Sequence, residues 1–319
     1  MRVRIIGGIA IAIASLVLTA CTGSASGRTG GSSTASTGTS PGPLAAFPVT
    51  ITDDDGQQVT IDASPVRIVT FAPSMTETVY ALGLGDRLVG VSGRYDDHPA
   101  AAKQVPEIGG AGEFGVDPNL EEVVSLQPDL FLTISGGDQW KQQLRDLDVP
   151  VVTLNATDLP DLLSDIRVVG RITGATDAAD ALTSDMQERA DAVAIAVSDA
   201  GGPVSCFFEV YFPPLTTVGP NTFIYDLLVR AGCDPVTSDA KADYPAWSVE
   251  KLIAGQPDVY IATPESAKSA EAVASRPGFA AILAVAKGAV LVDSDLITRP
   301  GPRVIEGLEG LEAALHPSD

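Results

Sequence analysis

Histidine is nearly absent: His98 and His316 are the only two in 319 residues. A Ser-His-Asp or Cys-His catalytic site would have to use His98, and no nucleophile elbow or matching serine context accompanies it. A dedicated zinc or manganese receptor would need more imidazoles, so Tyr95-Asp96-Asp97-His98, the one stretch with metal-ligand character, reads as a polar loop. No metal site and no enzymatic activity are expected. Basic residues are scarce too, 20 Lys and Arg against 41 Asp and Glu, for a net charge of −21. That balance argues against nucleic acid as a partner and favours solubility. There is no phosphate-binding loop, because Gly83-Leu84-Gly85 follows a helical stretch and works as its terminator. Glu121/Glu122 would suggest glycoside hydrolysis only with carboxylates correctly spaced across a cleft. Cysteine is limited to Cys21, Cys206 and Cys233.

What is present begins with an export signal at residues 1–20: Arg2 and Arg4, an apolar run from Ile5 to Leu18, and small residues before Cys21. The run is short for a membrane span, which needs about 20 apolar residues. Leu18-Thr19-Ala20-Cys21 resembles the lipobox of bacterial lipoproteins, which implies acylation of Cys21 and an extracytoplasmic protein anchored to the outer face of the cell membrane. Residues 21–46 are almost entirely Gly, Ser, Thr, Ala and Pro, a composition that buries no apolar surface and serves as a tether. With Cys21 lipidated, Cys206 and Cys233 remain as a pair in an oxidising compartment, and a disulfide between them is expected.

The stretch around which the rest is organised occurs twice. Leu120 to Thr133 and Val249 to Ala262 each carry a glutamate, Glu121 or Glu250, eight residues before the aspartate of a Gln-Pro-Asp turn. Each copy reads as helix, turn and strand. Asp117-Pro118 supplies an N-cap and a first-turn proline for the first, and Ser248 caps the second. Pro128 and Pro257 end the helices. An acidic residue at a helix start is ordinarily a partner of the helix dipole; its recurrence asks for a further reason.

Around these copies the chain alternates strand and helix. A hairpin, Val49 to Thr52 with Gln58 to Ile61, turns at Asp53-Asp54-Asp55-Gly56. Strands follow at 67–71, 87–92, 130–134 and 151–154, and a capping box at Ser74 and Glu77 opens a helix running to about Leu82. Residues 159–198 are helical with a break at Thr173-Gly174, and the long second part has a stripe of Met186, Ala190, Val193 and Val197. Strands at 204–211, 259–263 and 289–292 and helices at 222–231 and from about Pro302 repeat the order. The fold class is α/β, with two similar lobes of mostly parallel sheet, 47–158 and 201–319, joined by the helical segment 159–200. The ligand cleft belongs between the lobes, at the carboxyl ends of the strands. Loops there carry Phe71, Pro73, Tyr95, Phe114, Tyr211, Tyr244, Trp247, Asp295 and Arg299, a set suited to a broad, partly apolar ligand with hydrogen-bonding groups.

Phe71-Ala-Pro-Ser-Met-Thr-Glu77, Gly83 to Val91, Leu120-Glu121 with Gln127-Pro-Asp129, and Arg299-Pro-Gly-Pro-Arg303 are similar to signature segments of one family. They resemble the substrate-binding proteins of ABC importers for cobalamin and ferric siderophores, over about Arg67 to Leu315. The resemblance implies a monomeric, non-enzymatic receptor that hands a small molecule to a membrane permease with its ATPase and uses no cofactor. It implies that Glu121 and Glu250, one per lobe, dock on permease arginines. Tyr95-Asp-Asp-His-Pro99, Pro213-Pro214, Tyr244-Pro245 and Asp295 with Arg299 are most similar to cobalamin-binding members, so the expected ligand is a corrinoid. A ferric siderophore or haem, with Tyr95 or His98 near the metal, is the alternative. An enzyme on the same scaffold, as in nitrogenase-like proteins, would need cluster-ligating cysteines, and only two remain after Cys21.

Overall fold

The computed structural model describes residues 47–109 and 117–317. The export signal, Cys21, the whole of the tether and Phe114 lie outside the described residues. Strands β1 (Val49–Thr52) and β2 (Gln58–Ile61) form the expected antiparallel hairpin. The Asp53 side chain accepts the Gln57 amide at 2.8 Å, and Gly56 takes the left-handed backbone (φ +76) that the turn requires.

The first lobe continues through β3 (Ile68–Phe71), α1 (Pro73–Ala81), β4 (Leu88–Gly90), α2 (Leu120–Ser125), β5 (Leu130–Thr133), α3 (Asp138–Arg145) and β6 (Val151–Thr153). Four of its strands form a sheet in the order β4-β3-β5-β6, all parallel. β3, β5 and β6 are buried at every position, which is why they read as unbroken apolar runs instead of alternating ones. The chain then passes through α4 (Leu159–Thr173) and α5 (Thr176–Asp199), with Gly174 (φ +76) at the break. Met186, Ala190, Val193 and Val197 are the buried stripe of α5, as their spacing predicts.

The second lobe holds β7 (Val204–Phe208), α6 (Phe223–Arg230), β8 (Cys233–Pro235), α7 (Val249–Gly255), β9 (Val259–Ala262), α8 (Ala270–Ala274), α9 (Leu283–Lys287), β10 (Val290–Leu291), α10 (Ser294–Thr298) and α11 (Val304–Leu315). Its sheet, in the order β10-β9-β7-β8, is again all parallel. Strand β8 and helix α10 are not visible in the sequence pattern: Cys233-Asp234-Pro235 is not an apolar run, and the five residues of α10 are too few to set a period. β7 stops at Phe208, short of Tyr211, which instead bridges Thr216 in an antiparallel flap. Cys206 on β7 and Cys233 on β8 are joined as a disulfide with Cα atoms 5.6 Å apart.

Two helix starts differ from the sequence reading. α1 begins at Pro73, with Ala72 as its N-cap, and Ser74 lies buried inside the helix instead of capping it. Proline's fixed φ suits the first helical position, which outweighs the serine that follows. α2 is capped by Asn119, whose side chain accepts the Glu122 amide at 3.3 Å, so Asp117-Pro118 lies outside the helix. Ser248 caps α7 as expected, accepting from the Lys251 amide at 3.1 Å.

One apolar cluster runs unbroken from Ile51 and Ile68 in the first lobe, through Ile166 and Met186 of α4 and α5, to Phe208, Leu228 and Leu311 in the second. Smaller clusters sit in each lobe, around Phe131 and Trp140 and around Phe207 and Tyr260. A shared core resists the wide hinge bending that a peptide linker would allow. Among the described residues no helix is long and apolar enough to cross a membrane.

Candidate ligand cleft and docking glutamates

Both copies of the repeated unit place their features alike. A helix joined by a tight turn to the strand after it runs antiparallel to that strand, so α2 and α7 begin at the carboxyl edges of their sheets. Glu121 and Glu250 are each the second residue of those helices, and both are exposed. The turns are held by backbone geometry as much as by proline. Gln127 (φ 47) and Gln256 (φ 39) both take the left-handed conformation before Pro128 and Pro257. Asp129 then accepts the Val66 and Arg67 amides, each at 2.8 Å, fastening the turn to the start of β3.

The cleft is built where the strands end. A cavity of about 500 Å³ is lined by Phe71, Pro73, Ser92, Tyr95, Asp117, Ile134, Ser135 and Trp140 of the first lobe. A second, of about 390 Å³, shares Pro73 and Tyr95 and is completed by Phe208, Val210, Thr263, Glu265, Ser294, Asp295, Thr298 and Arg299. The two are halves of one groove across both lobes, and a third space of about 130 Å³ beneath it reaches Asp165 on α4. Of the expected ligand residues, Phe71, Pro73, Tyr95, Asp295 and Arg299 come together here. Phe71 contributes an edge only: it is buried, 5.5 Å from the Trp140 ring and 6.3 Å from the Phe131 ring. Tyr211, Tyr244 and Trp247 line neither half. They gather on the flap where Thr216 bridges both Tyr211 and Ala246, and the Trp247 ring lies under Lys251 at 4.4 Å.

Charge crosses the groove. Arg299 meets Asp295 at 2.7 Å, the Tyr95 carbonyl at 3.1 Å, Asp97 at 3.3 Å and Glu77 at 3.9 Å. Arg303, just before α11, donates two hydrogen bonds to Glu77 on α1, at 2.9 and 2.7 Å. Glu77 therefore spans the lobes as an ion-pair partner and is not the acid of a capping box. Asp96 is buried and accepts from the Thr76 and Ser92 hydroxyls and, at 2.9 Å, from the Gly93 amide, which fixes the loop carrying Tyr95 and Asp97. Burial raises its pKa while those hydrogen bonds and Arg299 oppose the rise. In Asp165, burial first and then Asp54 and Asp161 push the carboxyl up to about 7.

Sequence reasoning missed the interlobe pairing of Glu77 with Arg303, the buried anchoring role of Asp96, the place of Trp140 in the groove and the Glu209–Arg276 pair. Arg276 meets Glu209 at 2.5 Å and lies over the Phe212 ring at 4.1 Å, while the Tyr260 hydroxyl donates to Glu209. This buried network fixes the segment that leads from β7 into the flap. No local pattern signals the Glu209–Arg276 and Glu77–Arg303 pairings, since the partners are 67 and 226 residues apart. Among the described residues no group of three or more His, Cys, Asp and Glu is placed to hold a metal ion.

Known proteins agree with this architecture. Residues 68–295 match the periplasmic binding protein family model. The chain is 36% identical over 290 residues to an uncharacterized ABC transporter substrate-binding lipoprotein, YvrC, of Bacillus subtilis, covering 85% of this chain and 86% of the relative. It is 33% identical over 283 residues to a cobalamin-binding protein of Halobacterium salinarum, covering 85% and 75%. Among solved structures, a periplasmic haem-binding protein of Pseudomonas aeruginosa superposes with a TM-score of 0.70 at 29% identity, covering 80% of this chain and 94% of that one. Two parallel-sheet lobes on a helical backbone, a groove at the strand ends and a family match across both lobes lead to one assignment: the chain belongs to the periplasmic binding protein family, as a substrate-binding protein of the ABC importers that carry vitamin B12, siderophores or haem.

Proposed function

We propose that this protein captures a corrinoid outside the cell and delivers it to the permease of an ABC importer, acting as a monomer and without catalysis. The observation that carries the reading is the groove shared by both lobes. It offers apolar surface from Pro73, Ile134, Trp140, Phe208 and Val210, and neutral hydrogen-bonding groups from Ser92, Tyr95, Ser135, Thr263 and Ser294. That mixture suits a wide macrocycle fringed with amides. The similarity to a cobalamin-binding protein along 85% of the chain supports it. Tyr95, 41% exposed at the point where the two halves of the groove meet, favours the second reading, a ferric siderophore or haem whose metal its phenol could approach.

Cys21 would carry the lipid anchor, which keeps the receptor concentrated beside its permease. Glu121 and Glu250 would face that permease: exposed charges of one sign, one on each lobe, fix orientation on a two-fold partner more than they add affinity. Calorimetry of the purified protein with cyanocobalamin, haem and ferric hydroxamate and catecholate siderophores tests the cargo. Submicromolar affinity for a siderophore or haem with no corrinoid response overturns the corrinoid reading.

A further inference from the structure

The groove is short of available positive charge. Among the described residues lining its two halves, Asp117, Glu265 and Asp295 are acidic and Arg299 is the basic one. Arg299 is already surrounded by oxygen from Asp295, Asp97, Glu77 and the Tyr95 carbonyl, all within 3.9 Å. Arg303 is held by both carboxylate oxygens of Glu77. Counted as a unit, the two arginines face three carboxylates, Glu77, Asp97 and Asp295, and Glu265 and Asp117 add to the negative side. Burial would raise the Glu265 pKa, but hydrogen bonds from Ser294, its own backbone and Thr263, with Lys268 nearby, hold it below its ordinary value, so this wall stays ionised at neutral pH. Arg94 lies on the Tyr95 ring at 4.6 Å and donates to its hydroxyl, and neither it nor Lys268 is among the described lining residues.

We propose that the groove sorts corrinoids by charge: at constant shape it favours a cationic or neutral corrinoid and disfavours one that carries an added carboxylate. This rests on the corrinoid reading above. An incoming carboxylate meets several net negative charges and no guanidinium free to receive it, because freeing Arg299 would strip Asp295, which burial already inclines toward its neutral form. A cationic axial position on the metal gains from the same field. With a few net charges at roughly 8 Å and a water-like dielectric, each unit of ligand charge should change affinity about tenfold at low ionic strength.

The test uses three ligands of nearly one shape: cyanocobalamin, neutral overall; aquocobalamin, with one positive charge; and the cyanocobalamin monocarboxylic acid in which one peripheral amide is hydrolysed. Calorimetry on the full chain in detergent, at 20 mM and 300 mM NaCl, should rank them aquocobalamin, cyanocobalamin, monocarboxylate. Steps of about tenfold at low salt should shrink to about threefold at high salt. In the Glu265→Gln, Asp295→Asn double variant the three affinities should draw within about threefold of each other at low salt, by the same Coulomb argument. A monocarboxylate that binds as tightly as cyanocobalamin overturns the proposal. So does an aquocobalamin advantage that neither salt nor the double variant reduces, since that assigns it to direct ligation of the metal. If no corrinoid binds, the reading on which the proposal rests falls as well, a result distinct from corrinoid binding without a charge order.

Discussion

Replacing Glu77 by glutamine asks how much of the lobe-to-lobe fit depends on one carboxylate. Glu77 is 4% exposed on α1 of the first lobe, and its two oxygens accept from Arg303, 20% exposed, at 2.9 and 2.7 Å. In glutamine one of those acceptors becomes an amide donor facing a guanidinium, so one hydrogen bond is lost and a buried cation loses its counter-charge. Breaking a buried pair in this way costs about 3 to 5 kcal/mol, and Arg303's partial exposure argues for the lower end. The structure supplies its own control. Arg189 on α5 and Glu309 on α11 form the same two-bond arrangement at 2.8 and 2.7 Å, but with side chains 35% and 43% exposed. Water screens that pair, so Glu309→Gln should cost less than about 1 kcal/mol. Urea unfolding reads the difference directly. With a slope of about 3 kcal/mol/M, the Glu77→Gln midpoint should fall by about 1 M and the Glu309→Gln midpoint by about 0.3 M or less. Equal shifts in the two variants, or a smaller shift for Glu77→Gln, would show that burial does not set the strength of the interlobe pair.

Reversing Glu121 and Glu250 to arginine should leave ligand affinity unchanged and abolish uptake by cells carrying the importer; normal uptake would remove both residues from the docking role. Asp165, with a folded-state pKa of about 7 against the ordinary 3.8, binds its proton more tightly folded than unfolded, so its contribution to stability is whole below pH 4 and is lost as pH rises to about 7. Asp165→Asn should therefore raise the unfolding midpoint at pH 8 and change it much less at pH 4. Replacing Cys206 and Cys233 by alanine opens a loop with a sequence separation of 27 residues and should cost about 3 to 4 kcal/mol in chemical denaturation, an effect that reductant should reproduce in the parent protein.

The sequence revealed what short-range physics controls. Apolar runs marked β3, β5, β7 and β9 because both faces of each sheet are covered, and the stripe on α5 survived because its 24 residues hold the period for many turns. The proline-aspartate turns were legible because proline cannot continue a helix. What stayed hidden was set by distance along the chain. Glu77 and Arg303 are 226 residues apart, and Arg299 is 204 residues from the carbonyl it meets at Tyr95. A local reading could give Glu77 only a local job, as a capping acid, and so missed its place between the lobes. In the second lobe, Tyr211, Tyr244 and Trp247 lie in loops near the strand ends and gather on the flap, outside the linings of the two halves of the groove.

The repeated unit separates these two kinds of information most clearly, because its copies agree in backbone and differ in contacts. Gln127 and Gln256 both occupy the left-handed region, which costs a residue with a Cβ roughly 1 kcal/mol and which glycine would enter freely. In the second copy the glutamine has a local return. Its side chain donates to the Ala281 carbonyl at 3.2 Å and accepts the Leu283 amide at 3.0 Å, tying the turn to the start of α9. Gln127, exposed, makes no side-chain bond of this kind among the described residues. Gln127→Gly should therefore stabilise the protein by about 0.5 kcal/mol, the relief of strain less the entropy glycine adds to the unfolded chain. Gln256→Gly should destabilise it by about 1 kcal/mol or more, as two hydrogen bonds are lost. Opposite signs in urea midpoints would show that the turn is retained in both lobes for its shape and that only the second lobe has given its glutamine further work. Equal signs would mean that the αL backbone, and not the side chain, decides both sites.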